Sequence, residues 1–128
     1  MGSLKVLVVD DDPTTLQLVE ARLKVAGYQV LTRQEALGTT AIVRQEKPDV
    51  VIVDVRMPAL TGDRLTTLIQ EHKPTPALIL HSSLNATQLF ELTAKCGALG
   101  FIEKSPGAAN FVNEMERLLR RGGVLPEP

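Results

Sequence analysis

Four short stretches of this sequence carry side chains able to do chemistry. Asp10, Asp11 and Asp12 follow one apolar run, and Asp54 ends another. His81, Ser82 and Ser83 follow a third, and Glu103 and Lys104 close a fourth. Carboxylates that share a small site raise one another's pKa unless a cation sits among them. Mg²⁺ suits such a site because it takes oxygen ligands, keeps several waters and bridges to phosphoryl oxygens. A hydroxyl and an ammonium beside the acids would bind the other phosphoryl oxygens and disperse charge in the transition state. A carboxylate can itself be the nucleophile, giving an aspartyl phosphate. The set points to phosphoryl transfer to a carboxylate, provided the fold brings the four stretches to one place.

The pattern around them predicts that it does. Leu4 to Val9, Val50 to Val53, Ala77 to Leu80 and Leu99 to Ile102 are short apolar, β-branched runs, with Tyr28 to Thr32 a weaker fifth. Such continuous runs suit strands covered on both faces, as in a parallel sheet. Helical patterns lie between them. Leu16, Val19, Leu23 and Ala26 share one face, and Gly27 stops that segment. Further helices are expected over about 35–46, 63–72, 86–96 and 108–121, with Pro48, Pro74 and Gly97 as their stops. Five β-α units with short, right-handed connections give a doubly wound α/β domain, and the flavodoxin-like order 2-1-3-4-5 is expected. Ligands then bind outside the carboxyl ends of the strands, where all four stretches emerge. The domain is expected over residues 4–121, with 122–128 (GGVLPEP) a tail or the start of a linker.

Bulk properties narrow the function. A chain of 128 residues matches one hydrophobic core, and 44% of it is hydrophobic at a mean hydropathy of +0.06. With 14 basic against 15 acidic residues and a pI near 6.1, no basic face is available for a nucleic-acid backbone, so direct nucleic-acid binding is not expected. A single cysteine, Cys96, fits a reducing compartment and reads as a small buried hydrophobe. No apolar run reaches membrane-span length and no signal-peptide pattern precedes Leu4, so a cytoplasmic location is expected. Gly2 invites N-myristoylation, but Val6 stands where serine or threonine is wanted. Met1 to Ser3, native or a cloning remnant, are set aside.

The run VVDDD, the segment VDVRMPALTG, the step HSS and the end FIEK together resemble the receiver domains of two-component signalling, from Leu4 to about Arg121. That resemblance implies a signalling switch rather than an enzyme. Asp54 would be the phosphoacceptor, ahead of Met57-Pro58 and Gly62. Asp11 would bind Mg²⁺ directly, Asp10 mainly through a coordinated water, and the backbone carbonyl of Arg56 would complete the protein ligands. Ser82 would be the switch hydroxyl, Lys104 the phosphate-binding lysine, and Phe101 the aromatic residue that responds to phosphorylation. The implied partners are a sensor histidine kinase or phosphotransfer protein, and an output partner or effector domain on the face of the fourth helix, fifth strand and fifth helix, with homodimerisation on activation as one mode.

Alternatives stand beside these roles. Asp12 before Pro13 reads as the cap of the first helix, and Asp49 as a solvated turn residue. His72 and His81 lack the spacing of a metal site. Counting forward from Pro76 allows His81 at the hydroxyl position, although only serine supplies a small hydroxyl. Ser105 follows Lys104 where the family usually has proline, which leaves open whether that peptide bond is cis. Asp10, Asp12 and Thr14 also satisfy the D-x-D-x-T pattern of haloacid-dehalogenase-type phosphatases, but only Glu114, Glu116 and Glu127 follow Lys104 as acids, and Asp54 would have no role. A pseudo-receiver that docks partners without being phosphorylated is the remaining alternative.

Overall fold

The computed structural model describes residues 3–71 and 73–127; the expectations for Met1, Gly2 and His72 therefore lie outside the described residues. The elements run β1 (Lys5–Val9), α1 (Pro13–Val25), β2 (Gln29–Arg33), α2 (Thr39–Glu46), β3 (Val50–Val53), α3 (Gly62–Gln70), β4 (Ala77–Ser82), α4 (Ala86–Cys96), β5 (Gly100–Glu103) and α5 (Phe111–Arg121). All four strand pairings are parallel, in the order 2-1-3-4-5. The doubly wound α/β fold is therefore the one expected from the alternation of runs and helical faces.

Strand alternation divides the core between two faces of the sheet. Val6, Val8, Ile52, Ile79 and Ile102 point to α1 and α5, where they pack with Leu16, Val19, Leu23, Phe111, Met115 and Leu119. Leu7, Val9, Val51, Val53 and Leu78 point the other way, toward Val43 of α2 and Leu65 and Ile69 of α3. Val55 and Leu80 meet Leu89 and Cys96 of α4 on that same side. Cys96 is thus buried, as expected of it. The edge strand β2 is the least covered, which is why its apolar run is the weakest in sequence.

Two helices start later than expected. Residues 35–38 form a loop because Gly38 is left-handed at φ +83° and Arg33 binds the loop's main chain. Its Nη2 donates to Leu37 O at 2.7 Å and its Nε to Glu35 O at 3.3 Å. After β5, Gly107 and Ala108 are left-handed at φ +64° and +55°, so Pro106–Ala108 make a 3₁₀ turn and α5 begins at Phe111. Asp49 does more than meet solvent, since its Oδ2 accepts the Lys5 backbone N–H at 2.8 Å. Beyond α5 the chain turns back, Val124 N–H donating to Leu119 O and Leu125 packing on the α1/α5 side of the core.

Candidate functional site

The site is built from the strand ends outward. Register places Val9 beside Val53 on adjacent central strands. Asp10 and Asp54, the next residues of each, are therefore delivered to the same edge. The Asp54 N–H donates to Val9 O at 2.9 Å and the Asp10 N–H to Arg33 O at 3.0 Å, which fixes both main chains there. Both side chains are buried, at 1% and 5% exposure, whereas Asp11 is exposed. One oxygen from each of the three acids lies within 4.8 Å of the others. Asp12 leaves this group. Its oxygens accept from Thr14 N at 3.0 Å and Thr15 Oγ1 at 2.9 Å, capping α1, and the Thr15 hydroxyl followed by the Thr14 N–H holds its carboxyl below the usual range.

Lys104 reaches the acids from the end of β5. Its Nζ lies 2.9 Å from Asp10 Oδ2 and 3.4 Å from Asp54 Oδ2. The Asp10 contact is an ion pair, and Oδ2 is buried with no partner beyond that ammonium. Oδ1 of the same carboxylate accepts the Asp12 N–H at 2.9 Å. Burial, and then the Asp10 charge, push the Asp54 carboxyl up to about 6, despite Lys104 beside it. Burial works against the Lys104 ammonium, but Asp10 and Asp54 outweigh it and raise its pKa.

These groups fit a hard divalent cation. Opposed ligands of octahedral Mg²⁺ are about 4.2 Å apart, so oxygens spread over 4.8 Å suit direct ligands together with a water-bridged one. Positive charge at that point relieves both the raised Asp54 carboxyl and the buried Asp10 carboxylate beside it. Arg56 follows Asp54 at the rim with an exposed side chain, and its N–H meets Asp54 Oδ1 at 3.4 Å.

The structure settles which residue of the β4 end faces the α4 side. His81 is buried on the α5 side, its ring 4.9 Å from that of Phe111 at 70°. Alternation then turns Ser82 to the opposite side, with Leu80 and α4. Ser82 is 1% exposed, its Oγ accepts the Leu84 N–H at 3.3 Å, and its carbonyl accepts the Lys104 N–H at 2.9 Å. Phe101 packs half-buried against the Val55, Leu80, Leu89 and Cys96 cluster on the α4 side. The Lys104–Ser105 bond is trans.

Sequence reasoning gave Gly62 only a motif role; the structure adds a physical one. Its N–H donates to Val55 O at 2.9 Å, and a Cβ there would stand 2.1 Å from Asp54 O. Any side chain would displace the acceptor's own main chain. Between Asp54 and Gly62, Leu60 N–H donates to Pro58 O at 2.8 Å around Ala59, held at φ +69°. That is a tight, strained three-residue turn.

Comparison with known proteins agrees with this geometry. The model of the response regulator receiver domain matches residues 6–116. The chain is 34% identical over 122 residues to the probable transcriptional regulatory protein TcrX of Mycobacterium tuberculosis, an alignment covering 93% of this chain and 51% of that protein. Protein PilH of Pseudomonas aeruginosa is 39% identical over 74 residues, 58% of this chain and 61% of that one. The solved structure of the chemotaxis response regulator CheY4 of Vibrio cholerae superposes with a TM-score of 0.81 at 28% identity, covering 91% of this chain and 99% of that one. The chain spans about half the length of TcrX. No helix of the described residues is long and apolar enough to cross a membrane. With its order 2-1-3-4-5, its acid cluster and a family match over most of its length, this chain belongs to the receiver domains of two-component response regulators.

Proposed function

We propose that this receiver is a phosphorylation-activated switch that takes a phosphoryl group onto Asp54, with Mg²⁺, from a histidine kinase or a phosphotransfer protein. The observation that carries this reading is the convergence of Asp10, Asp11, Asp54 and Lys104 at one edge of the sheet. An Asp54 oxygen attacks phosphorus as the P–N bond to the donor imidazole breaks. The new bond is a P–O bond, and the imidazole leaves with the electron pair. Asp10, Asp11, Asp54 and the Arg56 carbonyl would hold the metal, which when bound neutralises charge on the transferring group. Lys104 exchanges its carboxylate partners for a phosphoryl oxygen, and Ser82 donates to another.

Drawing Ser82 toward the phosphoryl group moves the loop after β4, a local event that biases a two-state element. Phe101, packed on α4, follows it, and the α4–β5–α5 face then engages an output partner, an effector domain or a second copy. The domain works in the cytoplasm, over residues 4–121, with 122–128 a tail or the start of a linker. Asp12, the acid-base residue of the phosphatase alternative, already has both oxygens engaged in the α1 cap.

The test is labelling by acetyl phosphate, or binding of beryllofluoride, with and without Mg²⁺. Labelling should need the metal and vanish in Asp54→Asn. Equal labelling of that variant would remove Asp54 from its role, and no labelling of the wild type would favour the pseudo-receiver.

A further inference from the structure

At the opposite end of the sheet from Asp54, where β3 and β4 begin, a pocket of about 260 Å³ lies between the end of α2 and the chain entering β4. Arg44, Lys47 and Lys73 line it, and all three are exposed. One acid, Asp49, lines it too, and Lys5 holds both Asp49 and the neighbouring Glu46. The Lys5 N–H holds Asp49 Oδ2 at 2.8 Å, and its Nζ lies 3.5 Å from Glu46 Oε1 and donates to Glu46 O at 3.0 Å. Among the described residues, neither an ion pair nor a side-chain hydrogen bond compensates the three cations. The dipole of α2 accounts for cations at its end, hence for Arg44 and Lys47. It does not account for Lys73, which arrives from the separate segment after α3. The walls are stiff, because Pro48, Pro74 and Pro76 fix the backbone on either side, so little ordering is needed to receive a ligand.

We infer that this pocket is a second anion site, taking a small polyanion of linked phosphoryl groups, free or as the tail of a nucleotide. Three cations against the one carboxylate of Asp49 leave a net charge of two to match, and the volume suits a diphosphate group rather than a macromolecule. The apolar proline walls offer a nucleoside ring a surface, so the two sources differ in how much affinity lies outside the phosphoryl groups. The site is separate from the acid pocket and independent of phosphorylation.

Amide NMR of the chain in EDTA at low ionic strength, titrated with pyrophosphate and separately with ADP, tests this. EDTA keeps Mg²⁺ from recruiting either ligand to the acid pocket. Saturable shifts are expected over 43–49 and 73–77, weakening as salt is added. Lys47→Gln with Lys73→Gln should raise the midpoint by about fivefold or more, the loss of two exposed charge contacts. The same variant should keep its Asp54 labelling, which shows that it is folded. Equal midpoints for the two ligands would assign the site to the phosphoryl groups alone, and a tighter ADP to a nucleotide. Shifts that rise without saturating, that are unchanged in the double variant, or that centre on Asp10 and Asp54 would overturn the proposal.

Discussion

Asp54→Asn removes a charge and almost no volume, and in the metal-free protein it should make the domain more stable. Burial and the Asp10 charge raise the Asp54 carboxyl from 3.8 to about 6, so the folded state binds more protons than the unfolded chain between those values. Stability from this group therefore falls as pH climbs through that window, the reverse of an ordinary salt-bridged aspartate. Each pH unit between the two values is worth about 1.4 kcal/mol, which caps the cost of the ionised carboxylate at ~3 kcal/mol. Solvent reaches the open side of the pocket, and Lys104 loses a partner 3.4 Å away, so about half of that cap is the working figure. For a chain of this size ~1.5 kcal/mol corresponds to roughly 5 °C in Tm. Thermal or urea unfolding of both proteins in EDTA at pH 5 and pH 7.5 measures it. The variant should gain at pH 7.5 and keep only about half of that gain at pH 5, the rest being lost as pH falls on toward 3.8. Mg²⁺ at ten times its Kd should return about 1.4 kcal/mol to the wild type and much less to the variant. A variant that is less stable at pH 7.5, or an advantage that ignores pH, would refute the reasoning.

Other perturbations separate the remaining roles. Burial, and then the Lys104 charge, hold the His81 imidazole down at about 3, below the 6.5 of an unfolded chain, so its contribution is lost as pH falls below 6.5. It should remove about 2 kcal/mol by pH 5, and His81→Leu should flatten that limb of a pH–stability curve. Gly62→Ala should cost several-fold in Asp54 labelling rate and about 2 kcal/mol or more in urea unfolding, because Cβ displaces the Asp54 carbonyl. Asp12→Ala should lose about 1 kcal/mol of stability as a cap, while Asp11→Ala weakens Mg²⁺ binding more than it does in a direct titration. Arg56 and Leu84 each stand two residues beyond a site residue, and Arg56→Asn with Leu84→Glu should shorten the phosphoryl half-life, by about tenfold for 1.4 kcal/mol off the barrier.

Local features of this chain were legible without coordinates because the forces behind them act over a few residues. Continuous β-branched runs marked strands buried on both faces, Gly27 and Gly97 marked helix ends, and Asp12-Pro13 marked the α1 cap that both Asp12 oxygens now make. The strand order followed from alternation and right-handed crossovers, and with it the edge at which Asp10, Asp11, Asp54 and Lys104 meet. What depends on contacts between distant segments had to wait for the tertiary structure. The loop before α2 is held by the Arg33 side chain, and the late start of α5 by two left-handed residues. Only the register of β4 in the sheet decides that His81 turns to Phe111 and Ser82 to the α4 side, since neighbouring residues on a strand face opposite ways. Likewise Gly62 is required by a carbonyl eight positions earlier, and the Asp54 carboxyl is raised by burial and by an acid from another strand. Sequence determines which groups are present and on which element; their spacing, burial and mutual charge arise when the strands pair.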